Sequence, residues 1–195
     1  MSITASQVAE LRSQTGAGMM AAKKALEEAD GDLVKAGELL REKGLAKAAK
    51  KSDRATNEGR VHAYIHSNGK LGAMVEVLCE TDFVARNEVF VEFCNDLAMH
   101  VGAADPVYLT RDEVPVDLIE KEKEMFKREM EAQAKPAEVI EKITEGKMNK
   151  WYSEIVLMEQ SYIKDEDVTI EEFIKSKIAS LGENMQLKRF ARFTI

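Results

Sequence analysis

An aromatic side chain beside a carboxylate, at Phe83 and Asp82, is the pair in this sequence best suited to binding chemistry. The pair follows a strong β-hairpin pattern and precedes a long helix with periodic apolar residues, so the sequence predicts a short surface connection there. A rigid apolar wedge with a negative charge beside it suits insertion into a partner's pocket, because buried aromatic anchors dominate binding energy. The sequence also allows an ordinary structural role, in which Phe83 packs inward and Asp82 or Asn87 caps the following helix.

The other reactive side chains predict no catalytic site and no metal site. His62 and His66 share one face of a predicted strand, but a zinc site would need further cysteine or carboxylate ligands nearby. The run Gly16-Ala17-Gly18 follows a helix instead of a strand and lacks the Gly-Lys-Ser/Thr ending of a phosphate-binding loop. Cys79 and Cys94 are predicted to be small buried hydrophobic residues. We therefore expect no enzyme activity, no metal and no cofactor.

The elements that precede the wedge pair begin with three short helices, predicted within residues 1–44. Thr4, with Gln7 three positions later, has the pattern of a capping box at the start of the first helix. The third helix is predicted to end at Gly44. Residues 45–58 are rich in basic side chains and alanine, which favours a solvated linker with some helical character.

From residue 59 to residue 195 the pattern predicts a mixed core. The run Ser67-Asn68-Gly69-Lys70 is a strong hairpin turn, and the return strand is apolar on both faces, so both sides of the sheet should be covered. The elements predicted after the hairpin are helices over Asn87–Val101, Val116 to about Ala134, Pro136–Gly146, Met148–Met158 and Ile170–Ala179, and a strand over Met185–Ile195. The sequence thus predicts an α+β fold, with an N-terminal three-helix domain and a three-stranded antiparallel sheet (the hairpin plus the C-terminal strand) covered by helices.

Two adjacent methionines, Met19 and Met20, stand at the start of the predicted second helix. Adjacent positions on a helix cannot both point inward. One methionine is expected in the core of the small domain, and the other beside Gly18 on the surface, where a flexible thioether makes adaptable partner contacts. Simple helix packing is the alternative for either residue.

Composition limits the function further. The 195-residue chain carries a net charge of −7, which argues against a general nucleic-acid binder because phosphates attract basic surfaces. No apolar run reaches the roughly 20 residues of a membrane span, and the N-terminus lacks the basic and apolar segments of a secretory signal. We expect a protein of the cytoplasm that binds neither nucleic acid nor membranes directly.

Three separated stretches of the sequence resemble the signatures of one protein family. They are Leu11–Met20 with its continuation Lys23–Asp32, then Thr81–Asn87, then Gly146–Gln160. The family is bacterial elongation factor Ts, the guanine-nucleotide exchange factor for elongation factor Tu. The chain resembles the short form of this family, which implies a homodimer, since two copies recreate the second half of the core that longer members contain. The resemblance also implies a ubiquitin-associated fold for residues 1–44.

The same resemblance implies which residues meet elongation factor Tu. In the family, the matching wedge enters between helices of the GTPase domain and displaces elements of the magnesium site, which implies this role for Thr81, Asp82, Phe83 and Val84. The matching N-terminal loop and helix start dock on that domain, which implies partner contacts for Gly18, Met19, Met20 and Lys23. The expected partner is elongation factor Tu, both GDP-bound and nucleotide-free. An adaptor of the ubiquitin-associated type, holding another protein or peptide, is the alternative, and it does not need the wedge.

Overall fold

The computed structural model describes residues 3–131 and 136–195. Within them lie the helices α1 (Ala5–Thr15), α2 (Met19–Glu28), α3 (Leu33–Ala49), α4 (Asp82–Ala85), α5 (Glu88–Ala104), α6 (Val116–Glu131), α7 (Ala137–Ile155) and α8 (Ile170–Leu181), and the strands β1 (Glu58–Ile65), β2 (Leu71–Cys79), β3 (Ser161–Tyr162), β4 (Asp165–Thr169) and β5 (Met185–Thr194). Strands β1, β2 and β5 form an antiparallel sheet with β2 in the middle, and β3 pairs with β4. The predicted α+β class is confirmed.

The first three helices form the predicted helical bundle around a small apolar core. Thr4 caps α1 through the predicted capping box: its hydroxyl accepts a hydrogen bond from the Gln7 backbone N–H at 3.3 Å, and the Thr4 N–H donates to the Gln7 side chain at 3.0 Å. The buried side chains of the bundle are Val8, Leu11, Ala22, Ala25, Leu26, Ala29 and Ala36. Four of these seven are alanine, so the helices approach closely and the core stays small.

The third helix is longer than the sequence predicted. It runs through Gly44 to Ala49, so the expected helix end at Gly44 is wrong and the segment predicted as a linker starts with helix. Gly44 lacks a side chain where α8 comes close, since a Cβ built there would lie 3.4 Å from the Ala179 Cβ. An ion pair between Arg41 and Glu172 at 2.6 Å joins the same two helices. The contact with α8 accounts for the continuation of the helix past a glycine, which costs about 1 kcal/mol relative to alanine.

The chain forms two compact units, and the first comprises Met1–Val61, Glu76–Cys94 and Glu172–Lys188. It contains the helical bundle, the wedge segment and most of α8. Phe90 and Phe93 of α5 are fully buried in it, and the Phe93 ring lies 5.4 Å from the ring of Phe173 in α8. The part of the core next to the wedge is therefore packed with aromatic rings.

The second unit comprises His62–Val75, Asn95–Glu171 and Arg189–Ile195. Helices α6 and α7 pack against each other within it, and α7 continues through Gly146, where the sequence predicted a helix end. The predicted end of α6 near Ala134 lies outside the described residues. The short antiparallel pair of β3 and β4 was not predicted. Among the described residues, none of the helices is long and apolar enough to cross a membrane.

Candidate functional site

Phe83 stands on a one-turn helix and points into solvent. The predicted connection between β2 and α5 contains α4, a helix of four residues, and Phe83 on it is 83% exposed. The interpretation in which Phe83 packs inward is therefore wrong. Two residues further on, Ala85 is buried and anchors the same turn to the first unit. The sequence thus places a large apolar side chain outside the core on a segment whose other end is fixed.

The caps of the two helices around the wedge are Thr81 and Asn87. The Thr81 hydroxyl accepts a hydrogen bond from the Val84 N–H at 3.4 Å, and the Asn87 side chain accepts one from the Val89 N–H at 2.8 Å. Of the two predicted caps, Asn87 acts as one and Asp82 does not. Asp82 instead lies in the first turn of α4, where a negative charge is favoured by the helix dipole.

The charge of Asp82 is only partly balanced on the protein surface. Its carboxylate pairs with Arg86 at 3.2 Å, one turn along the chain, and both side chains are open to solvent. Exposed ion pairs of this kind contribute at most about 1 kcal/mol. Asp82 is therefore free to exchange Arg86 for a cation or a hydrogen-bond donor on a partner at little cost.

The base of the wedge is held by Glu183, in the turn between α8 and β5. Its carboxylate accepts a hydrogen bond from the Thr81 N–H at 3.0 Å and another from the Thr81 hydroxyl at 2.6 Å. The Cys79 thiol donates to the Thr81 carbonyl at 3.2 Å. Sequence reasoning missed Glu183, because 102 positions separate it from Thr81 and no local pattern marks the contact.

The N-terminal residues expected to bind a partner are also on the surface. Gly18 is the N-cap of α2, and Met19 and Met20 are 61% and 77% exposed. The prediction that one methionine enters the core is wrong, because the buried positions of α2 start one turn later, at Ala22. Lys23 is exposed and pairs with Glu27 at 3.8 Å. Both methionines are thus available to a partner.

The histidines give no metal site among the described residues, where no group of three ligands comes together. His62 lies 3.4 Å from the Asn95 side chain, and His66 lies 2.9 Å from the Tyr64 hydroxyl. His100 is fully buried, with Nε2 3.1 Å from the Gln160 side-chain oxygen and Nδ1 3.4 Å from the Ile163 N–H. Burial lowers the pKa of His100, although the hydrogen bond to Gln160 opposes the effect.

The two cysteines are buried, as predicted, and their thiols have low reactivity. Burial raises the pKa of the Cys79 thiol to about 11 and that of the Cys94 thiol to about 12. Only the thiolate is a strong nucleophile, so both side chains are unreactive near neutral pH.

One face of the sheet in the second unit is apolar and exposed. Phe193 of β5 is 68% exposed, and Ile65, Met74 and Ile195 on the same stretch of the sheet are exposed too. On the opposite side of β5, Arg192 is half-buried and donates to the Gly102 carbonyl at 3.0 Å. The exposed apolar residues Ile65, Met74, Phe193 and Ile195 line one open groove. In the described part of the second unit, the helices cover one face of the sheet and leave this apolar face open.

Comparison with known proteins gives a consistent result. The family model described as "Elongation factor TS" matches residues 3–195. The chain is 55% identical to an elongation factor Ts from Geobacter sulfurreducens over 195 residues, which cover all of this chain and 90% of that protein. It is 53% identical to one from Fervidobacterium nodosum, over all of this chain and 99% of that protein. It is 52% identical to one from Acetivibrio thermocellus, over 98% of this chain and 89% of that protein.

Proposed function

The chain belongs to the elongation factor Ts family of translation elongation factors, and from this premise we propose that it binds elongation factor Tu and promotes the release of GDP. The observation that carries the proposal is the position of Phe83, exposed on a one-turn helix whose base is held by two hydrogen bonds from Thr81 to Glu183. An exposed aromatic on a fixed support loses little conformational freedom on binding, and it is the type of side chain that dominates protein interfaces.

In the proposed mechanism, the wedge disturbs the site that holds the nucleotide. A GTPase retains GDP through its phosphate-binding loop and a magnesium ion that bridges phosphate oxygens. Phe83 enters between helices of the GTPase domain, and Asp82 brings a negative charge toward elements of the magnesium site. Thr81 and Val84 complete the contacting segment. Each displaced interaction weakens the binding of GDP. The contacts that the wedge makes with the GTPase domain supply the free energy for this displacement.

Exchange of this kind needs differential binding and no covalent step. The factor has to bind the nucleotide-free state more tightly than the GDP-bound state, and by linkage GDP weakens factor binding by the same ratio. A tenfold difference corresponds to about 1.4 kcal/mol. The proposal therefore requires no catalytic residue, no cofactor and no metal in this protein.

The N-terminal bundle supplies a second contact with elongation factor Tu. Met19 and Met20 present two flexible apolar side chains at the start of α2, and Lys23 adds a charge one turn away. Methionine surfaces adapt to a partner without a fixed shape. In the proposal, this surface and Gly18 dock on the GTPase domain and contribute mainly to affinity, while the wedge contributes to release.

We also propose that the protein is a homodimer of the cytoplasm, joined through the exposed sheet face around Phe193. Apolar patches that remain open are uncommon on monomeric proteins. A second copy offers an identical patch, and in a twofold interface the same patch of each copy faces the other. The resemblance to the short form of the family also implies a homodimer. The exposed residues Ile65, Met74 and Phe193 support this proposal.

Affinity measurements with two states of elongation factor Tu test the proposed function. We expect calorimetric titration to give a dissociation constant at least tenfold lower for nucleotide-free elongation factor Tu than for its GDP complex. Equal affinity for the two states would contradict the exchange function, and it is the result expected of an adaptor that only holds its partner.

A further inference from the structure

We propose that Glu183 is a positioning residue for the wedge: through Thr81 it sets the orientation of α4 and with it the place of Phe83. The inference rests on the proposed exchange function and extends it to a residue outside the wedge. Glu183 lies in the turn that follows α8, and its side chain spans 102 positions of sequence to reach Thr81.

Helix α4 cannot hold its own shape. It has four residues, and an isolated helix needs about 12 or more to be even marginally stable in water. Phe83 is 83% exposed and contributes little packing in the free protein. Asp82 makes only an exposed ion pair with Arg86. The orientation of the turn is therefore set by its buried Ala85 and by the contacts of Thr81 at its start.

Both carboxylate oxygens of Glu183 bind Thr81. One oxygen of Glu183 accepts from the Thr81 N–H at 3.0 Å, and the other accepts from the Thr81 hydroxyl at 2.6 Å. Because the hydroxyl proton is given to Glu183, the oxygen of Thr81 keeps its lone pairs for the Val84 N–H, 3.4 Å away. One carboxylate thus fixes both the backbone and the rotamer of the capping residue. Hydrogen bonds to a charged group are stronger than neutral ones.

The turn that carries Glu183 is itself fixed. Gly182 has a φ of 83°, which turns the chain between α8 and β5. Asn184 is buried, and its N–H donates to the Glu80 carboxylate at 2.6 Å. Its side-chain amide donates to the carbonyls of Ser52 at 3.1 Å and Arg54 at 2.8 Å. The support for the wedge therefore includes the segment that follows α3.

The test combines Glu183→Ala with Phe83→Ala and measures the release of labelled GDP from elongation factor Tu. We expect Glu183→Ala to slow the factor-dependent rate by about tenfold, the size expected for lost hydrogen bonds to a charged group. When Phe83→Ala is already present, we expect Glu183→Ala to slow the factor-dependent rate by less than a further twofold, because the side chain that Glu183 positions is absent. Glu145→Ala, which removes the same charge from an exposed site on α7, is the control and should leave the rate unchanged.

A general loss of stability would lower the rate by the same factor in both backgrounds, and that result would overturn the proposal. So would a rate for Glu183→Ala equal to that of the unaltered protein. Should Glu183→Ala fail to fold, Glu183→Gln serves instead, because it keeps the side-chain volume and loses one of the two acceptor oxygens. We then expect the factor-dependent rate to fall by about threefold in the same comparison.

Hydrogen exchange separates this inference from the proposed function, because it needs no partner. We expect the amides of α4 to exchange at least tenfold faster in Glu183→Ala, while those of α1 and α2 keep their protection. Unchanged exchange in α4 would overturn the positioning role. Failure of the unaltered protein to accelerate GDP release would instead overturn the proposed function.

Discussion

Replacing Phe83 with alanine should greatly reduce the exchange activity and leave the fold intact. A phenylalanine buries about 150–250 Å² when it is fully enclosed, and Phe83 is 83% exposed in the free protein. Phe83 therefore buries only about 35 Å² in the free protein. At about 25 cal/mol per Å², loss of this buried area amounts to about 1 kcal/mol. Alanine has the higher helix propensity and offsets part of that loss. We expect the free energy of unfolding to fall by less than about 1 kcal/mol.

The effect on exchange should be larger, because the same side chain is enclosed by the partner in the transition state for GDP release. Burying most of its surface there corresponds to about 4 kcal/mol by the same area rule, as an upper limit. Aromatic hot spots commonly cost about 2 kcal/mol or more when they are truncated. We therefore expect the factor-dependent release rate to fall by about thirtyfold or more. Stopped-flow release of fluorescent GDP, at factor concentrations below saturation, measures this rate.

Val34→Ala provides the matched control. Val34 is also a highly exposed apolar residue, but it lies on α3 outside the proposed contact surface. We expect this variant to release GDP at the rate of the unaltered protein. A folded Phe83→Ala variant that retained full activity would show that Phe83 is not the wedge.

Further variants test the charge of Asp82, the contact made by the N-terminal bundle, the dimer and the dependence of stability on pH. Asp82→Asn should slow GDP release by less than Phe83→Ala, in the same stopped-flow assay; an increase in rate would contradict the role of the charge. Replacing both Met19 and Met20 with alanine should raise the dissociation constant for elongation factor Tu, measured by calorimetric titration, by about tenfold. Val34→Ala is again the control, and an unchanged dissociation constant would show that this surface does not contact elongation factor Tu. Light scattering should give a mass near twice 21.8 kDa, and Phe193→Asp should reduce it to a single chain; a monomeric unaltered protein refutes the sheet interface. Burial lowers the pKa of His100 in the folded state, so the unfolded state binds a proton more readily as pH falls below about 6.5. The free energy of unfolding should therefore decrease from about pH 7 to pH 5, by up to about 1.4 kcal/mol per pH unit from this group. Urea titrations of His100→Gln should show a smaller decrease than those of the unaltered protein. An equal decrease would assign the pH dependence to other groups.

Features set by local sequence were predicted well. The capping box of Thr4 and Gln7 forms as expected, and the Asn-Gly turn closes the hairpin, with a hydrogen bond from the Gly69 N–H to the His66 carbonyl at 2.8 Å. Each of these features depends on residues a few positions apart, which the sequence displays directly.

Features set by distant contacts were not predicted. Gly44 and Gly146 are local stop signals, yet both lie inside helices, and at Gly44 the close approach of Ala179 shows the reason. The exposure of Phe83 was left open by the sequence, because its direction depends on the contact between Thr81 and Glu183. The pair of Asp82 and Phe83 could thus be singled out from the sequence, but the hydrogen bonds that hold Thr81 could not.

Release of labelled GDP from elongation factor Tu, measured with and without this protein, tests the proposed exchange function. We expect a small amount of the protein, well below the concentration of elongation factor Tu, to accelerate release for the whole population, because a factor that leaves with each exchange serves many partners. The rate should rise with factor concentration until the complex is saturated. A release rate that stays at its spontaneous value at every factor concentration, under conditions where the two proteins form a complex, would contradict the exchange function.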